Sequence, residues 1–85
     1  MKATLYTKPD CPLCDKLKAD LLLIHQEASR MSDLFALEIE ECNIEEDAEM
    51  FERFQYLIPV LDIDDGPTLY PPHAMHELLI AFGIA

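Results

Sequence analysis

The first third of the sequence holds a strand pattern that leads, through a short turn, into a long amphipathic helix pattern. Residues 3–7 are rich in Thr, Leu and Tyr and stop at Lys8-Pro9-Asp10, which predicts a strand that ends in a turn. Pro12 suits the first position of a helix, so we expect a helix of about four turns that begins at Cys11 or just after it. Its apolar face is predicted from residues that recur at spacings of three and four: Leu13, Leu17, Leu21, Ile24 and Ala28.

The rest of the sequence predicts three further strands and two further helices. Residues 35–40 alternate apolar and polar, as an edge strand does. Asn43 can cap a second helix, which ends before Leu57-Ile58-Pro59 and has Ala48, Phe51 and Phe54, or Met50 and Phe54, as its apolar stripe. Strands at 60–63 and 68–70 flank the turn-forming residues 64–67, and Pro71-Pro72 opens a last helix over 73–82, with Gly83 as its C-cap.

The order of these elements, β-α-β-α-β-β-α, predicts one α/β domain over residues 1–85, because 85 residues leave no room for a second core. The first three elements form a β-α-β unit, whose two strands must be parallel, and the late hairpin adds antiparallel strands. We therefore expect a central four-stranded mixed sheet with helices on both faces.

The charge balance and the short apolar segments predict that neither nucleic acid nor a membrane is a partner. Six Lys and Arg against seventeen Asp and Glu give a formal net charge of -11, which repels phosphate backbones and anionic lipid surfaces. The longest apolar run, residues 21–24, is far shorter than the roughly 20 residues that span a bilayer. The first residues lack the apolar stretch of a secretory signal. We expect a cytoplasmic monomer that binds neither nucleic acid nor membrane.

Two cysteines lie between the first strand and the first helix, in the motif Cys11-Pro12-Leu13-Cys14. Unpaired N–H groups and the dipole at a helix N-terminus stabilise a thiolate, so Cys11 is the candidate nucleophile. Cys14 lies one turn further, on the Leu17 side of the helix, and is the candidate resolving thiol, with more burial than Cys11. The spacing therefore predicts a dithiol–disulfide couple and a thiol–disulfide oxidoreductase.

Two other functions use the same residues. Cys11, Cys14, Cys42 and a histidine from His25, His73 or His76 could supply four zinc ligands. The chain could also be a redox-inactive binding module that holds a protein partner on its acidic surface. For Cys42 itself we expect the role of a small buried apolar residue at a strand end.

The segment from Leu5 to Cys14 resembles the first strand and active-site loop of glutaredoxins, with a Lys three residues before the first Cys and a C-P-x-C motif. Ile58-Pro59-Val60-Leu61 resembles the cis-proline segment of thioredoxin-fold proteins. Together with the order of elements, the resemblance covers residues 2–82, and short glutaredoxin-like proteins of poorly defined role are the most similar group.

This resemblance implies a thioredoxin-like fold in which Pro59 is cis and lies against the cysteine pair, with the backbone of Ile58 free to pair with an extended thiol substrate. It implies a disulfide-containing protein or a small thiol compound as substrate, no bound cofactor, and glutathione or a thioredoxin-type reductase as the electron donor. The site residues that it implies are the catalytic Cys11 and Cys14 and the substrate-binding Lys8, Pro12, Leu13, Ile58 and Pro59.

The sequence departs from glutaredoxins at three places that bear on the choice of substrate. Leu13 stands where an aromatic residue is usual, and Leu57-Ile58 stands where Thr-Val is usual. We align the Gly-Gly and acidic pair of glutaredoxins with residues 64–67, where Asp-Asp-Gly-Pro has a single Gly. The backbone donors for glutathione's carboxylate differ accordingly, and the net negative charge would weaken binding of this anionic tripeptide.

Overall fold

The computed structural model of the protein describes residues 1–31 and 37–83. The predicted order of elements is confirmed, with one 3-10 helix added. None of the described helices has the length and hydropathy needed to cross a membrane. In chain order the elements are β1 (Lys2–Thr7), α1 (Pro12–Met31), β2 (Glu38–Asn43), the 3-10 helix (Ile44–Glu46), α2 (Ala48–Phe54), β3 (Val60–Ile63), β4 (Thr68–Leu69) and α3 (Met75–Ala81).

The four strands form one mixed sheet in the order β2-β1-β3-β4. β1 is parallel to β2, with Lys2 opposite Glu38 and Thr7 opposite Asn43, whereas the β1–β3 and β3–β4 pairs are antiparallel. The predicted edge strand is confirmed, but it covers Glu38–Asn43 and not 35–40, because its backbone pairs with the whole length of β1. Phe35 and Ala36 lie outside the described residues.

Side chains of β1 and β3 alternate between the two faces of the sheet and so contribute to two separate cores. Leu5 and Leu61 pack in a cluster with residues of α1 and α3, whereas Val60 packs with Ile44 and Phe54 of the 3-10 helix and α2. Helices α1 and α3 therefore cover one face, and α2 covers the other. This confirms the expected sheet with helices on both faces.

Helix α1 begins at Pro12, as expected, and is longer than the predicted four turns because it continues to Met31. The prediction placed Leu13 in its apolar face, but the side chain of Leu13 is 61% exposed. Leu13 is only about 40° from Leu17 around the helix axis, but it lies in the first turn of α1, where its side chain lines an open groove. The buried face of α1 consists of Cys14, Leu17, Leu21, Ile24 and Ala28.

The single second helix predicted after Asn43 is divided into two elements, each with its own cap. The Asn43 side chain accepts a hydrogen bond from the N–H two residues on and starts the 3-10 helix. Asp47 then accepts from the N–H groups of Glu49 and Met50, at 3.0 and 3.2 Å, and starts α2. Of the two predicted stripes, Met50 and Phe54 is the observed one, because Phe51 is exposed.

The last strand and helix are each shorter than predicted. β4 ends at Leu69, whereas the prediction included Tyr70. Helix α3 starts at Met75 and not at residue 73, because the residue before it, Ala74, has an extended backbone. Gly83, with φ of 74°, follows the helix in the left-handed conformation expected of a C-cap glycine.

Candidate active site

The turn between β1 and α1 places Cys11 at the start of the helix. Asp10 has φ of 57°, a left-handed conformation that Asp tolerates better than most residues, and the chain reverses direction there. The carbonyl of Cys11 accepts the hydrogen bond of the Asp15 N–H at 3.1 Å, which closes the first turn of α1. The side chain of Cys11 therefore lies at the positive end of the helix dipole.

Cys11 and Cys14 are joined by a disulfide, and their Cα atoms are 5.2 Å apart, within the range that disulfides span. The two sulfurs differ in access. Cys11 is partly exposed, whereas Cys14 is 1% exposed and belongs to the buried face of α1. A molecule that approaches from solvent therefore reaches the sulfur of Cys11 first.

A backbone hydrogen bond is directed at the more exposed sulfur. The N–H of Cys14 donates to Sγ of Cys11 at 3.1 Å. Once the disulfide is reduced, a donor in this position stabilises a negative charge on Cys11, and the helix dipole acts in the same direction. The arrangement thus suits a thiolate on Cys11, whereas the sulfur of Cys14 is buried.

Pro59 lies next to this loop because β3 pairs with β1. Val60 is opposite Tyr6, so Pro59, one residue earlier in an antiparallel strand pair, is level with Thr7 at the end of β1. The Ile58–Pro59 peptide bond is cis, and Pro59 is fully buried. The N–H of Ile58 donates to the carbonyl of Phe54 at 3.1 Å. The expectation that the backbone of Ile58 is free is therefore wrong for its N–H group.

A groove of about 350 Å³ runs beside the disulfide loop, between α1 and the segment that joins β4 to α3. Most of its wall is apolar, and the two charges in the wall, Lys16 and Asp20, form an ion pair with an Nζ–Oδ2 distance of 2.9 Å. The residues that line it are Leu13, Lys16, Leu17, Asp20, Pro59, Pro71, Pro72 and His73.

Pro71 and Pro72 were not predicted as site residues, and His73 was considered only as a zinc ligand. The signal that could have identified them is the hairpin itself, because an antiparallel strand returns the chain to the end of the sheet where its partner began. β3 begins after Pro59, so the residues that follow β4 come back to Pro59 and to the start of α1. The residues after β4 are therefore close to Pro59 because of the strand pairing, and not because of their position in the sequence.

The same pairing corrects the alignment of residues 64–67 with the glutathione-binding glycines. The N–H of Asp64 donates to the carbonyl of Lys2 at 2.9 Å, so this turn lies at the start of β1, whereas Cys11 follows its end. A strand of six residues is about 20 Å long. The turn at 64–67 is therefore at the opposite end of the sheet from the cysteines, and the segment at 70–74 lies at their end.

The remaining predicted site residues surround the loop without lining the groove. Lys8 is exposed in the turn before Cys11 and forms no ion pair with any residue in the described part of the chain. Pro12 is exposed between the two cysteines. Ile58 is partly buried and packs against the cluster of Ile44, Phe54 and Val60. The structure thus brings Leu13 and Pro59 together in one groove, whereas Lys8 is exposed outside it.

Cys42 lies on the other side of the sheet from the disulfide. It is opposite Tyr6 in the parallel β1–β2 pair, so both side chains point to the face covered by α2, whereas Cys14 belongs to α1, which covers the other face. Burial raises the pKa of the Cys42 thiol, and the carboxylates of Asp47, Glu40 and Glu46 raise it further. This thiol is separated from the Cys11–Cys14 pair and is held in its neutral form.

The zinc hypothesis needs four ligands in one place. Within residues 1–31 and 37–83, no three His, Cys, Asp or Glu side chains are grouped as metal ligands. Nε2 of His73 lies 3.2 Å from the carbonyl oxygen of Leu69, and Cys42 is on the opposite face from Cys14. The structure therefore keeps Cys42 away from the Cys11–Cys14 pair, which the zinc hypothesis would bring together.

Comparison with known proteins gives a family model and a solved structure that match nearly the whole chain. The family model of the Glutaredoxin-like domain (DUF836) matches residues 2–81. The X-ray structure of Northeast Structural Genomics target protein XcR50 from X. campestris is similar, with a TM-score of 0.72 and 25% sequence identity over 98% of this chain and 97% of that chain. No curated protein matches the chain.

Proposed function

Because the chain belongs to the glutaredoxin-like domain family and has a thioredoxin-like fold, we propose that it is a thiol–disulfide oxidoreductase whose redox couple is Cys11 and Cys14. The observation that supports this most directly is the hydrogen bond from the Cys14 N–H to Sγ of Cys11, at 3.1 Å, where α1 begins. It combines a stabilised thiolate with a second sulfur within bonding reach.

The first step is attack by the Cys11 thiolate on one sulfur of a substrate disulfide. A new S–S bond forms between Cys11 and the substrate, and the other substrate sulfur leaves as a thiolate. The Cys14 N–H and the helix dipole raise the fraction of Cys11 that is ready to attack. The partial exposure of Cys11 gives the substrate access to it.

In the second step Cys14 loses its proton and attacks the sulfur of Cys11. The bond between Cys11 and the substrate breaks, the second substrate sulfur leaves, and the Cys11–Cys14 disulfide forms. The substrate gains two electrons and the protein loses two. A reductant, for which we propose glutathione or a thioredoxin-type reductase, returns the protein to its dithiol form, and we place this cycle in the cytoplasm, where thiols are kept reduced.

The substrate would rest on the surface around Cys11. Leu13 and Pro59 line the groove beside the disulfide loop, and Pro12 and Lys8 are exposed next to Cys11. Ile58 can offer its carbonyl, since its N–H already donates to Phe54. These five residues are the substrate contacts that we propose.

Titration of free thiols in the oxidised and reduced forms tests the couple. The chain has three cysteines, so the wild type should change reversibly between three free thiols and one, and Cys42→Ser, the control, between two and none. Cys14→Ser should lose this change and trap a mixed disulfide with a substrate peptide, seen by mass spectrometry. Cys11→Ser should form no such adduct, and full dithiol turnover by this variant would contradict the proposal.

A redox titration in glutathione buffers, with parallel assays of glutathione reductase and thioredoxin reductase, measures the potential and identifies the donor. We expect a potential between roughly -270 and -120 mV, the range from thioredoxin-like to strongly oxidising couples.

A further inference from the structure

The groove beside Cys11 is poor in groups that bind an anion. Three of the residues that line it, Pro59, Pro71 and Pro72, are prolines and have no N–H to donate. The N–H of Ile58 is already bonded to Phe54. The one lysine among the lining residues, Lys16, is paired with Asp20 at 2.9 Å. A ligand that depends on its carboxylates, as glutathione does, finds few partners here.

The groove does offer apolar surface of a useful size. Its volume of about 350 Å³ is more than twice the roughly 150 Å³ of an engineered cavity that admits benzene. From Leu13 to Asp20 the wall extends along eight residues of α1, about 10 Å, which is the length of about three residues of extended chain. One large apolar side chain and its neighbouring backbone fit such a space.

One end of the groove lies beside the disulfide loop, where Leu13 lines it and the two cysteines do not. Leu13 lies two residues after Cys11, inside the loop that the disulfide closes, and its side chain is exposed. In a substrate whose cysteine is bonded to Cys11, the apolar side chain that occupies the groove would therefore be no more than about three residues from that cysteine. This distance makes the groove a recognition surface for the residues that flank a substrate cysteine.

Electrostatics select among such segments. The net charge of the protein is -11, and the two carboxylates beside the cysteine loop, Asp10 and Asp15, outnumber the exposed Lys8 next to them. This field attracts a positively charged segment and repels glutathione disulfide, which is an anion. The charge and the apolar wall thus favour the same kind of substrate.

Given the proposed exchange reaction, on which this inference rests, we propose that the preferred substrate is a protein disulfide in a basic, extended segment. The segment has a large apolar side chain within about three residues of its cysteine, and this side chain occupies the groove between Leu13 and Pro72. Glutathione disulfide is then a poor substrate.

Single-turnover mixing of the full-length reduced protein with matched peptide disulfides tests this inference. The first peptide has Phe two residues from its cysteine and Lys on both flanks; the second has Ser in place of Phe, and the third has Glu in place of Lys. Glutathione disulfide and bis(2-hydroxyethyl) disulfide complete the set. Each rate is divided by that of the same disulfide with dithiothreitol, which removes differences in intrinsic reactivity. We expect the first peptide to react about tenfold faster than the second.

A pair of variants locates this preference. Leu13→Ser should lower the Phe-to-Ser rate ratio about fivefold. Ile80→Ser is the matched control, because Ile80 is as exposed as Leu13, at 61%, lies on α3 and does not line the groove; it should leave the ratio unchanged.

Equal normalised rates for the first two peptides, a ratio that Leu13→Ser does not change, or faster reaction of glutathione disulfide would each overturn the inference while the exchange activity stands. Failure of every disulfide to react, including the neutral one, would overturn the proposed function and this inference with it.

Discussion

Cys11 and Cys14 are three residues apart, and the first turn of α1 gives their sulfurs different surroundings. Cys11 receives a backbone hydrogen bond and meets solvent, whereas Cys14 faces the core between the sheet and α1. A difference of this kind lets one sulfur start an exchange and the other complete it, because reactivity follows thiolate character and access. These different surroundings support the different steps that we propose for the two cysteines, although they are the same residue type.

Cys42 provides a prediction about pH at the same scale. In the oxidised protein it is the remaining thiol, and its raised pKa keeps it protonated at pH 8. Only the thiolate reacts with iodoacetamide, so we expect Cys42 to be alkylated more slowly than cysteine in a short peptide at pH 8. Its rate should continue to rise with pH after the peptide's rate has levelled off. Mass spectrometry of samples quenched over time measures both rates.

The matched variant for this prediction is Asp47→Asn. Asn caps a helix about as well as Asp, so α2 should keep its start, while a negative charge near Cys42 is removed. The pKa of Cys42 should fall, and its alkylation at pH 8 should become faster. A rate that stays unchanged would show that the charge of Asp47 does not reach this thiol.

At the scale of elements, one face of α1 packs into the hydrophobic core and the opposite face is exposed. Its buried face packs on β1 and β3 and contacts α3, and the opposite face carries charged residues and several exposed leucines. A chain of 85 residues buries a smaller fraction of its surface than a larger domain does, so each large side chain in this cluster contributes a large share of the stability.

Two adjacent leucines of α1 test this division. Leu21 is 3% exposed and Leu22 is 58% exposed. Leu21→Ala removes buried methyl groups and leaves a cavity, so the free energy of unfolding should fall by about 2–5 kcal/mol. Leu22→Ala, the control on the same helix, should change it by less than about 0.5 kcal/mol. Urea unfolding followed by circular dichroism measures both. Equal losses of unfolding free energy would contradict the burial of Leu21 and the exposure of Leu22.

At the scale of the whole molecule, acidic residues outnumber basic ones by seventeen to six. Such a surface produces a long-range negative potential in addition to the local contacts of the active site. The potential changes how often a charged substrate meets the cysteines. Salt shortens its range to about 10 Å at 0.1 M ionic strength.

Ionic strength should therefore affect substrates in opposite ways. Between about 20 and 500 mM NaCl, the exchange rate with an anionic disulfide should increase, because screening weakens repulsion, and the rate with a basic peptide disulfide should decrease. We expect changes of about threefold or more in each direction. The neutral bis(2-hydroxyethyl) disulfide is the control and should vary little. The same trend for all three would argue against steering by the net charge.

The order of elements and the position of the cysteines were predictable from the sequence because they depend on interactions over a few residues. Helical spacing from Leu17 to Ala28, the proline at the start of α1 and the turn residues at 64–67 each act within one or two turns of chain. The placement of a cysteine pair between a strand and a helix follows from the same local signals. These features determined the predicted fold class and the predicted couple.

Only the tertiary structure decided which segments surround that couple. The strand pairing brings Pro71 and Pro72 to the groove, moves residues 64–67 to the far end of the sheet and places Cys42 behind it. The bond from Ile58 to Phe54 likewise depends on how α2 meets β3. These neighbours are distant in sequence, and their contacts arise from the order and direction of four strands, a long-range choice that no local spacing encodes.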